Sequence, residues 1–265
     1  MPELRTKSGI VWRYEERGAG APLLFLHGWG ASHRVFVQQQ EYFSRKSRVV
    51  LVDLPGHGRT SWQPVSFEAI ADDIQALMQA LGVLRMSIVG SSMGGALGLK
   101  IYERFPLSVE RLVMVGSLPR FCRSPGFPLG LERAQFEKLK DQLAHQYPAI
   151  LEIFFRSLFT IEERQDPKFQ WIHQFRRQEA FPLREALVDF LKMLGEQDFI
   201  PMFEKIKIPV QLIAGDHDYI CPPDSFKFLR ALLPQARFDT IRQSGHFPFL
   251  IRSEEFNRVV DEFLF

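Results

Sequence analysis

One serine has glycine two residues away on both sides. It lies in Ser87-Ile88-Val89-Gly90-Ser91-Ser92-Met93-Gly94-Gly95-Ala96, where an apolar β-branched run gives way to a helix-forming stretch. The Gly-x-Ser-x-Gly spacing predicts a sharp strand-to-helix turn that exposes a serine hydroxyl above a sheet. Glycine suits positions 90 and 94 because such a turn is too tight for Cβ atoms. The following helix N-terminus favours developing negative charge there. Only Ser92 has the right register, which makes it the candidate nucleophile; Ser91 does not.

A hydroxyl becomes a competent nucleophile when a base takes its proton and an acid orients that base. Both should follow strand ends downstream, in the order serine, acid, histidine. The apolar run Gln211–Ala214 leads into Gly215-Asp216-His217-Asp218-Tyr219-Ile220-Cys221-Pro222, and the run 237–241 leads into Gln243-Ser244-Gly245-His246-Phe247-Pro248-Phe249. Asp218 and His246 are the acid and base candidates. His33, His145, His173 and His217 have no partner motif. No clustered metal ligands and no phosphate-binding glycine loop are evident, so no metal or other cofactor is expected.

These residues need a scaffold that brings strand ends together. Short apolar runs at 22–26, 48–53, 86–89, 112–115, 209–214 and 237–241 read as buried strands. Near-continuous apolar strands predict a parallel sheet covered on both faces. Helices are expected over about 33–45, 67–81 and 93–105, with a closing helix from Glu254 to Phe265; Ile70, Ile74, Leu77 and Leu81 recur at helical spacing. Strand–helix alternation predicts an α/β fold. From about 118 to 200 the strand signal vanishes and amphipathic helices take over, as in Leu151, Phe154, Phe155, Leu158 and in Leu187, Phe190, Leu191, Leu194. The expected organisation is a core of 1–117 and 201–265 interrupted by a helical cap, 118–200.

Composition sets the outer bounds. The 265 residues suit one large α/β domain with an insertion, and a net charge of +2 gives no case for nucleic acid as a partner. The two cysteines, Cys122 and Cys221, suggest no disulfide framework and a reducing compartment. No apolar run approaches membrane-span length, and the first residues lack the apolar core of a signal peptide. A cytoplasmic protein without a membrane partner is expected. There are 25 phenylalanines, and aromatic residues are frequent in the 118–200 stretch. Its charges balance, twelve basic against twelve acidic, so an acidic partner would need a local cluster such as Arg120/Arg123 or Arg176/Arg177. A solvated helix face is the simpler account of both pairs.

From end to end the chain resembles the α/β-hydrolase fold family of serine hydrolases. That resemblance implies a mostly parallel twisted sheet, helices on both faces and an inserted cap. The family's acid stands three residues after a strand-ending glycine, with proline four further on. Gly215, Asp218 and Pro222 fit, while Asp216 is one step off and reads as a turn aspartate. His246 fits the family's Gly-His motif. His27-Gly28-Trp29-Gly30 resembles its oxyanion loop, which implies that the backbone N–H groups of Trp29 and Met93 bind the tetrahedral oxyanion. His57, in Asp53-Leu54-Pro55-Gly56-His57-Gly58, resembles a structural turn. Serine at the elbow excludes the branches that use aspartate there, the haloalkane dehalogenases and most epoxide hydrolases.

Within the family the motifs are similar to those of the esterases that cleave the methyl ester of pimeloyl-acyl-carrier protein in biotin synthesis. Those esterases carry tryptophan beside the nucleophile, where this chain has Ser91. The resemblance implies a carboxylic ester substrate, with an acyl carrier protein as a partner. A general short-chain carboxylesterase, a menaquinone-pathway lyase and a C–C bond hydrolase remain open. An apolar wall for an acyl chain is expected from Trp29 and from cap residues Phe154, Phe155 and Phe159.

Overall fold

The computed structural model describes residues 1–176 and 180–265, and of 175 and 176 the backbone alone. Among the described residues eight strands form one sheet. They are β1 (Glu3–Arg5), β2 (Val11–Arg17), β3 (Ala21–Leu26), β4 (Ser47–Val52), β5 (Met86–Ser91), β6 (Val109–Val115), β7 (Val210–Gly215) and β8 (Arg237–Ile241). Their order is β1-β2-β4-β3-β5-β6-β7-β8. β2 pairs antiparallel with β1 and β4, and every pairing from β4 across to β8 is parallel.

The six apolar runs become β3 to β8. Side chains alternate across the sheet: Leu24 and Leu26 enter one core layer, Leu23 and Phe25 the other. Both faces are thus covered, as parallel strands require. β1 and β2 have no such run and escape the sequence pattern. β2 lies toward the edge and keeps a wet face, where Glu16 accepts from Arg48 Nε at 2.7 Å. Its Trp12 is fully buried, and the indole N–H donates to Asp73 at 3.1 Å.

The helices are α1 (Val37–Phe43), α2 (Phe67–Ala80), α3 (Met93–Arg104), α4 (Arg133–Gln146), α5 (Ala149–Ser157), α6 (Pro167–Arg176), α7 (Arg184–Glu196), α8 (Ile200–Phe203), α9 (Ser225–Leu232), α10 (Pro248–Ile251) and α11 (Ser253–Leu264). α4 to α8 all lie between β6 and β7 in the chain. α2 buries Phe67, Ile70, Ile74 and Leu77, and Ser66 caps it by accepting from the Ala69 N–H at 3.3 Å. α3 is buried along most of its length. It lies so close to the sheet that a Cβ on Gly94 would collide with the Leu26 carbonyl.

β3 sits between β4 and β5, so the connections on its two sides diverge. Open parallel sheets bind ligands at the carboxyl ends of strands at such a switch point. The loop after β3 and the turn after β5 meet there: a Cβ on Gly28 would lie 3.4 Å from that of Ser92.

Candidate active site

Ser92 joins β5 to α3 at φ +52° and ψ −112°. Ser92 and Gln243 (φ +50°) are the non-glycine residues with positive φ among those described. Such a backbone costs about 1–3 kcal/mol and persists when its surroundings over-determine it. Here the Ser92 N–H donates to the Val115 carbonyl at 2.7 Å. The Ser92 carbonyl accepts from the Gly95 N–H at 3.0 Å and from Ser117 Oγ at 2.9 Å. Ser92 is partly exposed, whereas Ser91 is fully buried and its Oγ has no hydrogen-bond partner among the described residues.

Asp218 follows β7 and His246 follows β8. His246 Nδ1 donates to Asp218 Oδ2 at 2.8 Å, and both residues are buried. The other oxygen, Oδ1, accepts from the N–H groups of Ile220 at 2.9 Å and Cys221 at 3.0 Å. Burial pushes the Asp218 carboxyl up, but the charge and hydrogen bond of His246 and those two N–H groups prevail and hold it low. Asp216 takes a different place: it accepts from the Ser244 N–H at 3.0 Å and from His217 Nδ1 at 2.7 Å. Gly116, at the end of β6, packs against the pair. A Cβ there would lie 2.8 Å from His246 Cε1 and 3.1 Å from Asp218 Oδ2.

The loop after β3 is held by two histidines. His27 Nδ1 donates to the Gly28 carbonyl at 2.9 Å while its Nε2 accepts from the Leu54 N–H at 2.9 Å. His57 Nδ1 donates to the Pro55 carbonyl at 3.0 Å, and its Nε2 accepts from the Gly30 N–H at 3.3 Å. Burial lowers His27 to about 4 and His57 to about 3, so both rings are neutral. Trp29 lies between the two tied peptides. Among the described residues, no acceptor engages the N–H of Trp29 or Met93.

Two small cavities adjoin Ser92. One, of about 20 Å³, is lined by Gly28, Trp29, Ser92, Phe154, His246 and neighbouring apolar residues. The other, of about 30 Å³, runs from Ser92 and Met93 past Gly116 to Arg120 and Phe199. Phe121, Leu194 and Ile220 line both; Leu194 belongs to the helical repeat of α7, whereas Phe121 and Ile220 stand out by neither motif nor spacing. Trp29 packs edge-on against Phe154 at 5.1 Å, and its indole N–H donates to the Leu187 carbonyl at 3.0 Å. Phe155 and Phe159 lie elsewhere. They are buried in an aromatic cluster with Phe169 and Phe247, of which Phe247 alone lines the cavity at Ser92, because the α5 face that carries Phe155 turns toward α6 and α10. A larger cavity of about 180 Å³, lined by Val35, Phe155, Trp171 and Leu250 among others, touches none of Ser92, Asp218 and His246.

Of the basic clusters, Arg120 pairs with Asp198 at 2.8 Å and Arg123 with Glu132 at 3.0 Å. Arg177 and the Arg176 side chain lie outside the described residues. Among the described residues no group of three His, Cys, Asp or Glu side chains could hold a metal ion, and no helix is long and apolar enough to cross a membrane. Cys122 and Cys221 are both buried and free.

Ser92 and His246 line one cavity, and the His246 imidazole is bonded to the Asp218 carboxylate. The pattern of the alpha/beta hydrolase fold matches residues 21–253. A pimeloyl-[acyl-carrier protein] methyl ester esterase of Chromobacterium violaceum is 31% identical, over 94% of this chain and 96% of that one. One of the same name from Nitrosomonas europaea is 29% identical, over 91% and 95%. An esterase structure from Exiguobacterium antarcticum superposes with a TM-score of 0.88 at 23% identity, covering 98% of this chain and 97% of that one.

Proposed function

The chain belongs to the α/β hydrolase fold family and is a hydrolase, and from that premise we propose that it cleaves carboxylic esters through an acyl-enzyme on Ser92. Ser92 Oγ attacks the ester carbonyl as His246 Nε2 takes its proton. Asp218 holds the Nδ1–H and stabilises the imidazolium. The N–H groups of Trp29 and Met93 bind the oxyanion, and losing one such donor typically costs ~10²–10³ in rate. His246 then protonates the leaving alkoxide. Water, activated by the same imidazole, releases the acid. The observation that carries this reading is the buried His246–Asp218 hydrogen bond, 2.8 Å long, with His246 and Ser92 lining one cavity.

The finer proposal is the methyl ester of pimeloyl-acyl-carrier protein, with the carrier protein as partner. The names of the relatives that are 31% and 29% identical support it. The cavity of about 30 Å³ supports it on the alcohol side. A water-sized group needs roughly 10–15 Å³ by the same kind of measure, so a methoxy group fits there. A seven-carbon acyl chain exceeds the other cavity, about 20 Å³, and would have to displace Phe154, Leu191 or Leu194. That constraint favours a second reading, a short-chain carboxylesterase. The apolar lining gives little support to a lyase acting on a polyanion, since Arg120 at the rim is already paired. We assign segment 118–200 the role of a cap over the core formed by 1–117 and 201–265.

The deciding experiment measures kcat/KM for p-nitrophenyl esters of graded acyl length and for the carrier-linked pimeloyl methyl ester. Ser92→Ala should lose about 10⁴-fold or more on every substrate hydrolysed. Ser91→Ala should lose far less. An inactive Ser91→Ala beside an active Ser92→Ala would overturn the assignment.

A further inference from the structure

Glu163 lies between α5 and α6, far from the triad in sequence, and no motif for ester hydrolysis includes it. The carboxyl is nevertheless 2% exposed. Its Oε2 accepts from the Gly245 N–H at 3.0 Å and from the Thr160 N–H at 2.9 Å, and its Oε1 accepts from Ser244 Oγ at 3.2 Å. The next residue in the loop, His246, donates its own N–H to the Leu158 carbonyl at 2.8 Å. Three successive residues of the base loop are therefore bonded to segment 158–163. On the far side, Asp216 accepts the Ser244 N–H and the Ser244 carbonyl accepts the His217 N–H at 2.9 Å.

We propose that Glu163 is a positioning residue for His246: it fixes loop 244–246 from the cap side and so sets where the imidazole stands over Ser92. The inference rests on the esterase reading above. A simpler role exists and must be distinguished. Thr160 Oγ accepts from the Glu163 N–H at 3.1 Å while Glu163 accepts from the Thr160 N–H, which is a capping box. That role accounts for the Thr160 contact alone. It leaves the Ser244 and Gly245 contacts unexplained, and it does not require burial. Burial raises the carboxyl against the pull of its N–H and O–H donors and of the Arg252 charge, and its hydrogen-bond donors are all neutral. A buried carboxylate held by neutral donors is a costly way to fill space. It is well suited to fixing several N–H and O–H groups at once.

The test compares Glu163→Ala, Glu163→Gln and Thr160→Ala with wild type. It uses steady-state hydrolysis of p-nitrophenyl acetate, melting temperature and the downfield proton resonance of His246 Nδ1–H. Misplacing a reacting group by 1 Å can cost about 10²-fold, so Glu163→Ala should lose up to that in kcat with KM within twofold. Glu163→Gln, which keeps one acceptor oxygen, should lose less. The Nδ1–H resonance should shift or broaden in Glu163→Ala. Thr160→Ala should lower the melting temperature while leaving kcat and the resonance alone. Equal kcat losses in the Glu163 and Thr160 variants that track melting temperature would overturn the proposal, as would unchanged kcat in folded Glu163→Ala. If Glu163→Ala does not fold, Glu163→Gln and Ser244→Ala decide the matter: reduced kcat at unchanged KM supports the proposal, and wild-type kcat in both refutes it. If wild type hydrolyses no ester, the esterase reading fails, and the resonance still decides whether Glu163 positions His246.

Discussion

Gly116 packs against His246 and Asp218 and takes no part in bond making. It directly follows β6 at φ +56°, and a Cβ there would lie 2.8 Å from His246 Cε1 and 2.9 Å from Nδ1. Ordinary contact begins near 3.4 Å, so Gly116→Ala must drive the ring back by 3.4 − 2.8 = 0.6 Å or move the end of β6. Two losses follow. A left-handed backbone costs an L-residue about 1–2 kcal/mol. For a chain of this size that lowers the melting temperature by roughly 2–8 °C. At about 10²-fold per ångström of misplacement, a 0.6 Å shift removes roughly 10–20-fold from kcat. The assay is p-nitrophenyl acetate hydrolysis well below the melting temperature, with melting followed on the same sample. A variant that melts lower but keeps kcat within twofold would refute the reasoning, because a displaced His246 would then not be limiting.

Asp218→Asn should cost about 10³–10⁴ in kcat, since the imidazole loses its orienting acid; Asp216→Asn, which touches only the loop, should cost much less, and the reverse ranking would exchange their roles. Phe154→Ala should change the ratio of kcat/KM between C8 and C2 esters, because Phe154 lines the cavity at Ser92. Phe155→Ala and Phe159→Ala should instead lower stability by about 3–5 kcal/mol and leave that ratio unchanged, which urea melts and the same ester series would check. The buried histidines predict acid lability. Their folded values, about 4 for His27 and about 3 for His57, lie below the ordinary 6.5. The unfolded chain therefore binds protons first, so stability is full above about pH 6.5 and declines as pH falls toward 4. A urea midpoint that stays flat from pH 7 to pH 5 would contradict this.

The apolar runs disclose the strands that the sheet buries on both faces, and the glycine spacing around Ser92 discloses the elbow. The antiparallel edge is harder to see. β2 reads Val-Trp-Arg-Tyr-Glu-Glu-Arg, and its charged residues suppress the apolar signal although Trp12 is fully buried. Periodicity places Phe154 and Phe155 on one helix but does not say which neighbour each face meets. Adjacent residues point in directions that only packing assigns, so Phe154 reaches Trp29 while Phe155 joins Phe169. Glu163 carries one local sign, the Thr160-x-x-Glu163 pattern of a capping box. Its contacts with Ser244 and Gly245 span more than eighty residues and leave no trace in local sequence.

The positive φ values of Ser92 and Gln243 set a limit on how this protein can be stabilised. Both residues stand in turns that carry reacting groups, and glycine would relieve either one. Gly at 243 keeps the chemistry, so relaxation there is open to selection or design. Gly at 92 removes the nucleophile, so whatever strain the elbow holds is permanent for as long as the site functions. Robustness must then accumulate elsewhere, in β6 and α3, whose Val115 carbonyl and first helical turn hold Ser92 in place. Those elements are under selection twice, once as core and once as the restraint on a turn the chain would otherwise leave.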